Sequence, residues 1–225
     1  MNVSKEELAI IGSGTMGHSI ALSASIAGFN VKIWGIDDND IHRGKQGIDE
    51  KLNLLTTYEV VDSNEIKNIK ERIYFTNSLK ECVNNASFVI EGIPENLYLK
   101  QKMFQELDEL CSQNVILASN TSGLSPTDIA ALTLYPERTV VTHFWNPGHL
   151  IPLVEVIRGE QTSEQTVNRS LELLKNLNKK PIVVQKDILG SIGNRLQYAL
   201  FPLLNIFLSK GWPQLRILIK PFVTV

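Results

Sequence analysis

The chain is poor in the features that mark a metal centre, a disulfide scaffold or a membrane anchor. Its 225 residues include two cysteines, Cys82 and Cys111. These lack CxxC spacing and a neighbouring histidine, which argues against a metal site or redox pair and for free thiols in a reducing compartment, the cytoplasm being the simplest address. Hydrophobic runs are short, and none reaches membrane-spanning length. The polar start Asn2-Val3-Ser4-Lys5-Glu6-Glu7 leads only into a brief apolar run, unlike a signal peptide. An excess of one charge sign is also missing. The 22 basic and 24 acidic residues give a formal net charge of −2, and neither sign forms a block. That argues against a nucleic-acid footprint and a polybasic membrane patch, and favours a small-molecule partner. Repeats and low-complexity tracts are absent.

What is present is a 43% hydrophobic content, enough for one substantial core and part of a second. Short β-branched runs alternate with helical patterns. The predicted strands are Leu8 to Ile11, Val31 to Trp34, Ile73 to Phe75, Phe88 to Ile90, Val115 to Ala118, Val140 to Thr142, Val154 to Ile157 and Ile182 to Val184. Apolar residues at three- and four-residue spacing predict helices over Met16 to Ala27, Leu97 to Cys111, Pro126 to Leu132 and Thr166 to Leu177. The alternation reads as βαβ units, hence an α/β fold with a doubly wound, mostly parallel sheet and helices on both faces. A boundary falls near Lys186-Asp187, before a long apolar helix from about Ile192. It divides a nucleotide-binding unit, 1–186, from the start of an all-α unit, 187–225.

The first chemical motif is Leu8-Ala9-Ile10-Ile11-Gly12-Ser13-Gly14-Thr15-Met16-Gly17. A strand leads into the glycines and a helix leaves them, which is the context a dinucleotide pyrophosphate requires. Gly12 permits the tight turn, Gly14 lets the phosphates approach the backbone, Gly17 lets helix and strand pack, and Thr15 and Met16 open the helix. A merely structural glycine-rich turn is the alternative. The ribose-binding carboxylate belongs at the end of the second strand, yet that position holds Gly35, with Asp37 and Asp38 just beyond. Asp37 is the candidate for the ribose. His42 and Arg43 lie further on, so NAD is favoured over NADP, with a 2′-phosphate site as the alternative.

Three further stretches place polar groups at predicted strand ends. In Glu91-Gly92-Ile93-Pro94-Glu95-Asn96, Glu95 and Asn96 either face a cofactor or support the next helix as dipole partner and cap. In Ser119-Asn120-Thr121-Ser122-Gly123-Leu124-Ser125-Pro126, Asn120 and Ser122 suit ligand contacts at a carboxyl strand end, whereas Ser125 before a proline reads as an N-cap. Most informative are His143, in His143-Phe144-Trp145-Asn146-Pro147, and Glu155, within the apolar Leu153-Val154-Glu155-Val156-Ile157. An imidazole is a base at neutral pH, and a carboxylate beside it fixes its tautomer and stabilises the imidazolium. A buried structural pair is the bland alternative. His18, His42 and His149 read as structural or solvated.

Taken with Asn194-Arg195, these motifs resemble the 3-hydroxyacyl-CoA dehydrogenase family, in order and at its spacing, over roughly residues 6 to 200. The resemblance implies NAD as cofactor and an acyl-CoA as substrate. It implies oxidation of the 3-hydroxyl of a short 3-hydroxyacyl-CoA to the 3-ketoacyl-CoA, as in fatty-acid or butyrate metabolism. His143 would be the base, Glu155 its orienter, and Ser122 and Asn194 partners of the reacting oxygen. Glu95, Asn120 and Asn146 would lie along the cofactor. Related dehydrogenases of carnitine or gulonate share the His-x-x-Asn-Pro pattern and form the alternative within this class; a catalytically silent NAD-binding remnant is the alternative outside it.

Two places depart from the family pattern. Leu189 and Ser191 stand where a proline and a large aromatic usually flank the glycine. The tail, with Trp212-Pro213 and Lys220-Pro221, breaks any helical pattern where the family continues into a helical dimerisation domain. A permitted codon string for Gly211 to Val225, read in a shifted frame, restores an acidic turn and helix. The expectation is therefore a truncated or frameshifted product whose native pattern ends between Leu200 and Gly211, which weakens the homodimer the family implies.

Overall fold

Each of the eight apolar runs forms a strand in a computed structural model that describes residues 6–187 and 189–209. The strands are β1 (Glu7–Ile11), β2 (Asn30–Trp34), β3 (Ile73–Thr76), β4 (Phe88–Glu91), β5 (Ile116–Ser119), β6 (Thr139–Phe144), β7 (Leu153–Arg158) and β8 (Lys180–Val184). They make one sheet in the order β3-β2-β1-β4-β5-β6-β7-β8. Every neighbouring pair is parallel except β6 and β7. A short loop joins those two and can only connect antiparallel neighbours. The chain winds outward from β1 to β3, then returns to place β4 on the other side of β1. The crevice between β1 and β4 is thus the topological switch point, where doubly wound sheets bind ligands.

Both faces of the sheet are covered, which explains why the strands are almost wholly apolar. Leu8, Ile10, Phe88, Ile90, Phe144, Val154 and Val156 point to one side, where they pack against α1 (Thr15–Ile26), α2 (Asp38–Thr57), α3 (Ile66–Glu71) and α7 (Glu164–Asn176). Ala9, Ile11, Val89 and Leu117 point to the other, against α4 (Leu79–Val83), α5 (Leu97–Leu110) and α6 (Pro126–Ile129). A last helix, α8 (Ile192–Ser209), follows β8.

Apolar spacing in the sequence misses α2, at 20 residues the longest helix among the described residues. It buries only Gly44, Gly47, Ile48, Leu52 and Leu55, and the two glycines offer no apolar side chain to register a period. The predicted helix from Pro126 to Leu132 is in fact α6 followed by a 3-10 turn, Ala130–Leu132. Ile188 and the tail from residue 210 onward, on which the reading-frame expectation rests, lie outside the described residues, as do the side chains of Leu203, Leu204, Phe207 and Leu208. No described helix is long and apolar enough to cross a membrane.

Candidate active site

The glycine loop leaves β1 at the switch point. Gly12 has φ 105°, a left-handed conformation, and a Cβ there would come within 3.0 Å of the Gly92 carbonyl oxygen after β4. A Cβ on Gly17 would lie 1.8 Å from the Gly12 carbonyl oxygen, so α1 packs onto the loop only as glycine. Gly14 differs, because a Cβ there would meet nothing within 4 Å. Its outer side is open, as close approach of a phosphate requires. Side-chain oxygens of Asp37, Ser78, Asn96, Ser125 and Ser163 cap α2, α4, α5, α6 and α7, but Gly14 gives α1 no side-chain cap. The first amides of α1 therefore keep their donors for a ligand. Thr15 is exposed beside them and Met16 packs against the core. These features fit a dinucleotide pyrophosphate.

Asp37, the candidate for the ribose, accepts the Asp40 amide at 2.7 Å with one oxygen and so also begins α2. Gly35 has a steric reason: a Cβ there would lie 2.7 Å from Ile41 Cγ1 and 3.2 Å from Ser13 Oγ. Arg43, considered for a 2′-phosphate, is paired with Asp40 at 3.0 Å.

The polar loops after β4 and β5 are tied to each other. Glu95 Oε1 accepts from Thr121 Oγ1 at 2.5 Å and from the Ser122 and Gly123 amides at 3.1 and 3.2 Å. Asn120, almost fully buried, accepts the Phe144 amide at 2.8 Å and donates its own amide to the Glu91 carbonyl at 2.7 Å, clamping β4 and β6 together. Beneath them lies a group that the motif reading passes over. The Glu91 carboxylate, fully buried, accepts from Lys100 Nζ, Ser119 Oγ and the Ile93 amide, each at 2.6 Å. The signal for Glu91, an acid within an apolar strand, was the same one that marks Glu155. Nothing in the sequence announces that Lys100 is only 1% exposed. Asn96 caps α5, accepting the Leu99 amide at 3.1 Å, and Ser125 caps α6.

His143 and Glu155 are directly opposed in the β6/β7 register, and His143 Nδ1 lies 2.8 Å from Glu155 Oε2. Both are buried, at 4% and 1% exposure. Burial alone would push the Glu155 carboxyl up, but the His143 hydrogen bond and the Gly193 amide hold it below its ordinary value. That amide belongs to the first turn of α8 and donates to Glu155 Oε1 at 3.1 Å, at the helix end that favours an anion. Gly193 is required there, since a Cβ would lie 2.0 Å from Trp145 Cζ2. The Trp145 ring in turn rests 5.4 Å from that of His143. Because an ionised carboxylate only accepts, Nδ1 carries the imidazole proton and Nε2 is left as the basic nitrogen.

Asn194, one residue further along α8, donates Nδ2 to the Ser122 carbonyl at 3.3 Å, and the Ser191 amide reaches the same oxygen at 3.2 Å. The structure thus brings His143, Glu155, Ser122 and Asn194 to the carboxyl edge of the sheet, stitched to α8. Asn146 is exposed in the loop beyond β6, next to a cis Asn146-Pro147 bond. Arg195 Nη1 donates to the Leu189 carbonyl at 3.2 Å. His42 is exposed on α2. Among the described residues, no group of three or more His, Cys, Asp or Glu is placed to hold a metal ion.

A doubly wound sheet, an uncapped helix behind a glycine loop and an imidazole–carboxylate pair at the same edge define the NAD-binding domain of a dehydrogenase. Residues 7–188 match the family described as the 3-hydroxyacyl-CoA dehydrogenase NAD binding domain, and the chain belongs to that family. It is 36% identical over 194 residues to 5-formyl-3-hydroxy-2-methylpyridine 4-carboxylate 5-dehydrogenase of Mesorhizobium japonicum, covering 86% of this chain and 62% of that one. It is also 36% identical over 200 residues to a probable 3-hydroxybutyryl-CoA dehydrogenase of Bacillus subtilis, covering 89% and 68%. The crystal structure of 3-hydroxybutyryl-CoA dehydrogenase from Escherichia coli K12 superposes with a TM-score of 0.86 at 31% identity, over 92% of this chain and 44% of the other. The chain therefore spans about two thirds of the length of the two relatives compared by sequence.

Proposed function

We propose that the protein oxidises the 3-hydroxyl of a short 3-hydroxyacyl-CoA to the 3-ketoacyl-CoA, within a nucleotide-binding unit of residues 1–186 completed by the start of α8. The observation that carries this reading is the buried His143–Glu155 pair, at 2.8 Å, with the Gly193 amide on the second carboxylate oxygen. His143 Nε2 takes the hydroxyl proton as the carbonyl forms. Glu155 holds the ring in the tautomer that leaves Nε2 basic, and stabilises the imidazolium. The Ser122 hydroxyl donates to the reacting oxygen. Asn194 uses one amide hydrogen on the Ser122 carbonyl and has a second for the same oxygen. NAD, when bound, accepts the hydride released from C3. Gly12, Gly14, Thr15, Met16 and Gly17 hold its pyrophosphate and Asp37 its ribose. Glu95, Asn120 and Asn146 shape the nicotinamide side.

Identity of 39% over 132 residues to an L-carnitine dehydrogenase of Oceanobacillus iheyensis supports a second reading, a dehydrogenase of a small hydroxy acid that uses the same dyad. NADH formation by the purified protein with 3-hydroxybutyryl-CoA, compared with free 3-hydroxybutyrate, separates the two. Turnover of the thioester alone supports the first reading, and turnover of the free acid alone replaces it with the second. NAD binding without turnover of either would leave a silent nucleotide-binding domain.

A further inference from the structure

Beneath the outer surface of the glycine loop, α2 packs onto it with almost no side chains between. Ser13 is 1% exposed and donates Oγ to the Asp40 carbonyl at 3.0 Å. A Cβ on Gly44 would lie 3.0 Å from Ser13 Cβ, and one on Gly47 would lie 2.5 Å from His18 Nε2. The glycines of α2 thus clear space for Ser13 and for the His18 ring. That ring, 7% exposed one turn into α1, has its Nδ1 3.0 Å from the Ser13 carbonyl oxygen and its Nε2 2.8 Å from Lys51 Nζ.

The partners fix the tautomer. A carbonyl only accepts, so Nδ1 carries the proton; an ammonium only donates, so Nε2 accepts. Nδ1 can donate to the Ser13 carbonyl in either state, whereas the bond from Lys51 forms only when Nε2 is unprotonated. We propose that His18 is a positioning residue for the dinucleotide, holding the Ser13 carbonyl and with it the pyrophosphate-binding loop, in a tautomer that Lys51 on α2 imposes. The two residues lie 33 positions apart in the chain and neither belongs to the glycine motif. This inference rests on the NAD assignment and goes beyond it by making cofactor affinity depend on the protonation of a residue outside the phosphate loop.

The charged and titratable surroundings favour the neutral ring. Burial lowers the His18 value and Lys51 lowers it further, against opposing contributions from the Ser13 carbonyl and from Glu50. Burial also lowers Lys51. From the loop between β6 and β7, His149 is held down to about 4, first by burial and then by Lys51, Lys179 and His18. Burial lowers Lys179, just before β8, to about 8; its Nζ is bonded to the Gly148 and Ile151 carbonyls at 2.7 and 3.1 Å. Acidification would protonate Nε2 and set two cations face to face. The Lys51 restraint on the ring, and the share of NAD affinity that depends on it, should therefore be present above the His18 value and be lost as pH drops through it, below the ordinary 6.5.

Calorimetric titration of the full chain with NAD, repeated across pH, tests this. At neutral pH, His18→Phe should weaken NAD about tenfold, the value of one lost structural hydrogen bond, while turnover at saturating NAD stays near wild type. His18→Asn, whose amide can still donate to the Ser13 carbonyl, should recover most of the loss. Lys51→Met, which removes the second cation, should flatten the fall in NAD affinity at low pH. Equal affinity in wild type and a folded His18→Phe, or an unchanged pH dependence in Lys51→Met, would overturn the proposal. Lys51→Met decides the matter if His18→Phe does not fold. Failure of the wild-type chain to bind NAD at all would instead remove the NAD assignment and this inference with it.

Discussion

Two buried carboxylates lie in strands separated by two others, β5 and β6, and their surroundings differ. Glu91 ends β4 and Glu155 lies in β7; both are essentially inaccessible, and both accept a backbone amide. Glu91 is matched by Lys100 at 2.6 Å, with Ser119 and the Ile93 amide on the same carboxylate. Burial pushes the Glu91 carboxyl up against the pull of Lys100 and Ser119. Glu155 is matched by His143 at 2.8 Å, and its own value is held down. Glu91 ties β4 to β5 and α5, whereas Glu155 fixes the tautomer of the imidazole opposite it. Lys100 also lies 3.6 Å from Glu95, so the tie reaches the loop that carries Ser122.

The contrast can be broken at either end. The largest effect belongs to His143→Ala, which should lower turnover ~10^3-fold, about 4 kcal/mol of barrier, with NAD affinity unchanged by calorimetry. Lys100→Met comes next and acts on a different quantity. It strands a buried carboxylate and should cost about 3 kcal/mol of stability, read from the urea midpoint, while the folded fraction loses far less turnover than His143→Ala.

Glu155→Gln should lower turnover ~10^2-fold by relaxing the imidazole tautomer. Its stability adds a pH signature that sharpens the comparison. The folded carboxyl is depressed, so its contribution is present above the unfolded value near 4.5 and is lost as pH falls through the folded one. The stability gap between wild type and Glu155→Gln should therefore close in acid below that value, as followed by thermal melts. Smallest is Asn194→Ala, which removes the bond to the Ser122 carbonyl and should lower turnover about tenfold with little change in stability.

The strands were legible because a sheet covered on both faces writes its strands as largely apolar runs, as in Leu8 to Ile11. Their alternation with helices announced a mostly parallel sheet, but the order β3-β2-β1-β4-β5-β6-β7-β8 was not legible from it. The antiparallel β6/β7 pair, which sets His143 opposite Glu155, depended on the loop between them and not on composition. α2 stayed hidden because two of its five buried positions are glycine, and Gly35 looked like a defect until Ser13 and Ile41 filled the space beside it. Of the candidate site, the residues on strand ends could be named from the sequence. Lys100, the Gly193 amide and the tautomer of His18 could not, because each depends on a partner brought up by tertiary packing: Glu91, Glu155 and Lys51.

The central claim is that the His143–Glu155 pair is the proton-transfer centre of an NAD-dependent dehydrogenase. The most direct test is the rate of NADH formation from 3-hydroxybutyryl-CoA by wild type and His143→Ala, at matched occupancy by NAD. The predicted result is turnover by the wild type and its near-complete loss in the variant. Equal rates in the two proteins would contradict the claim, as would NAD binding by the wild type with no turnover.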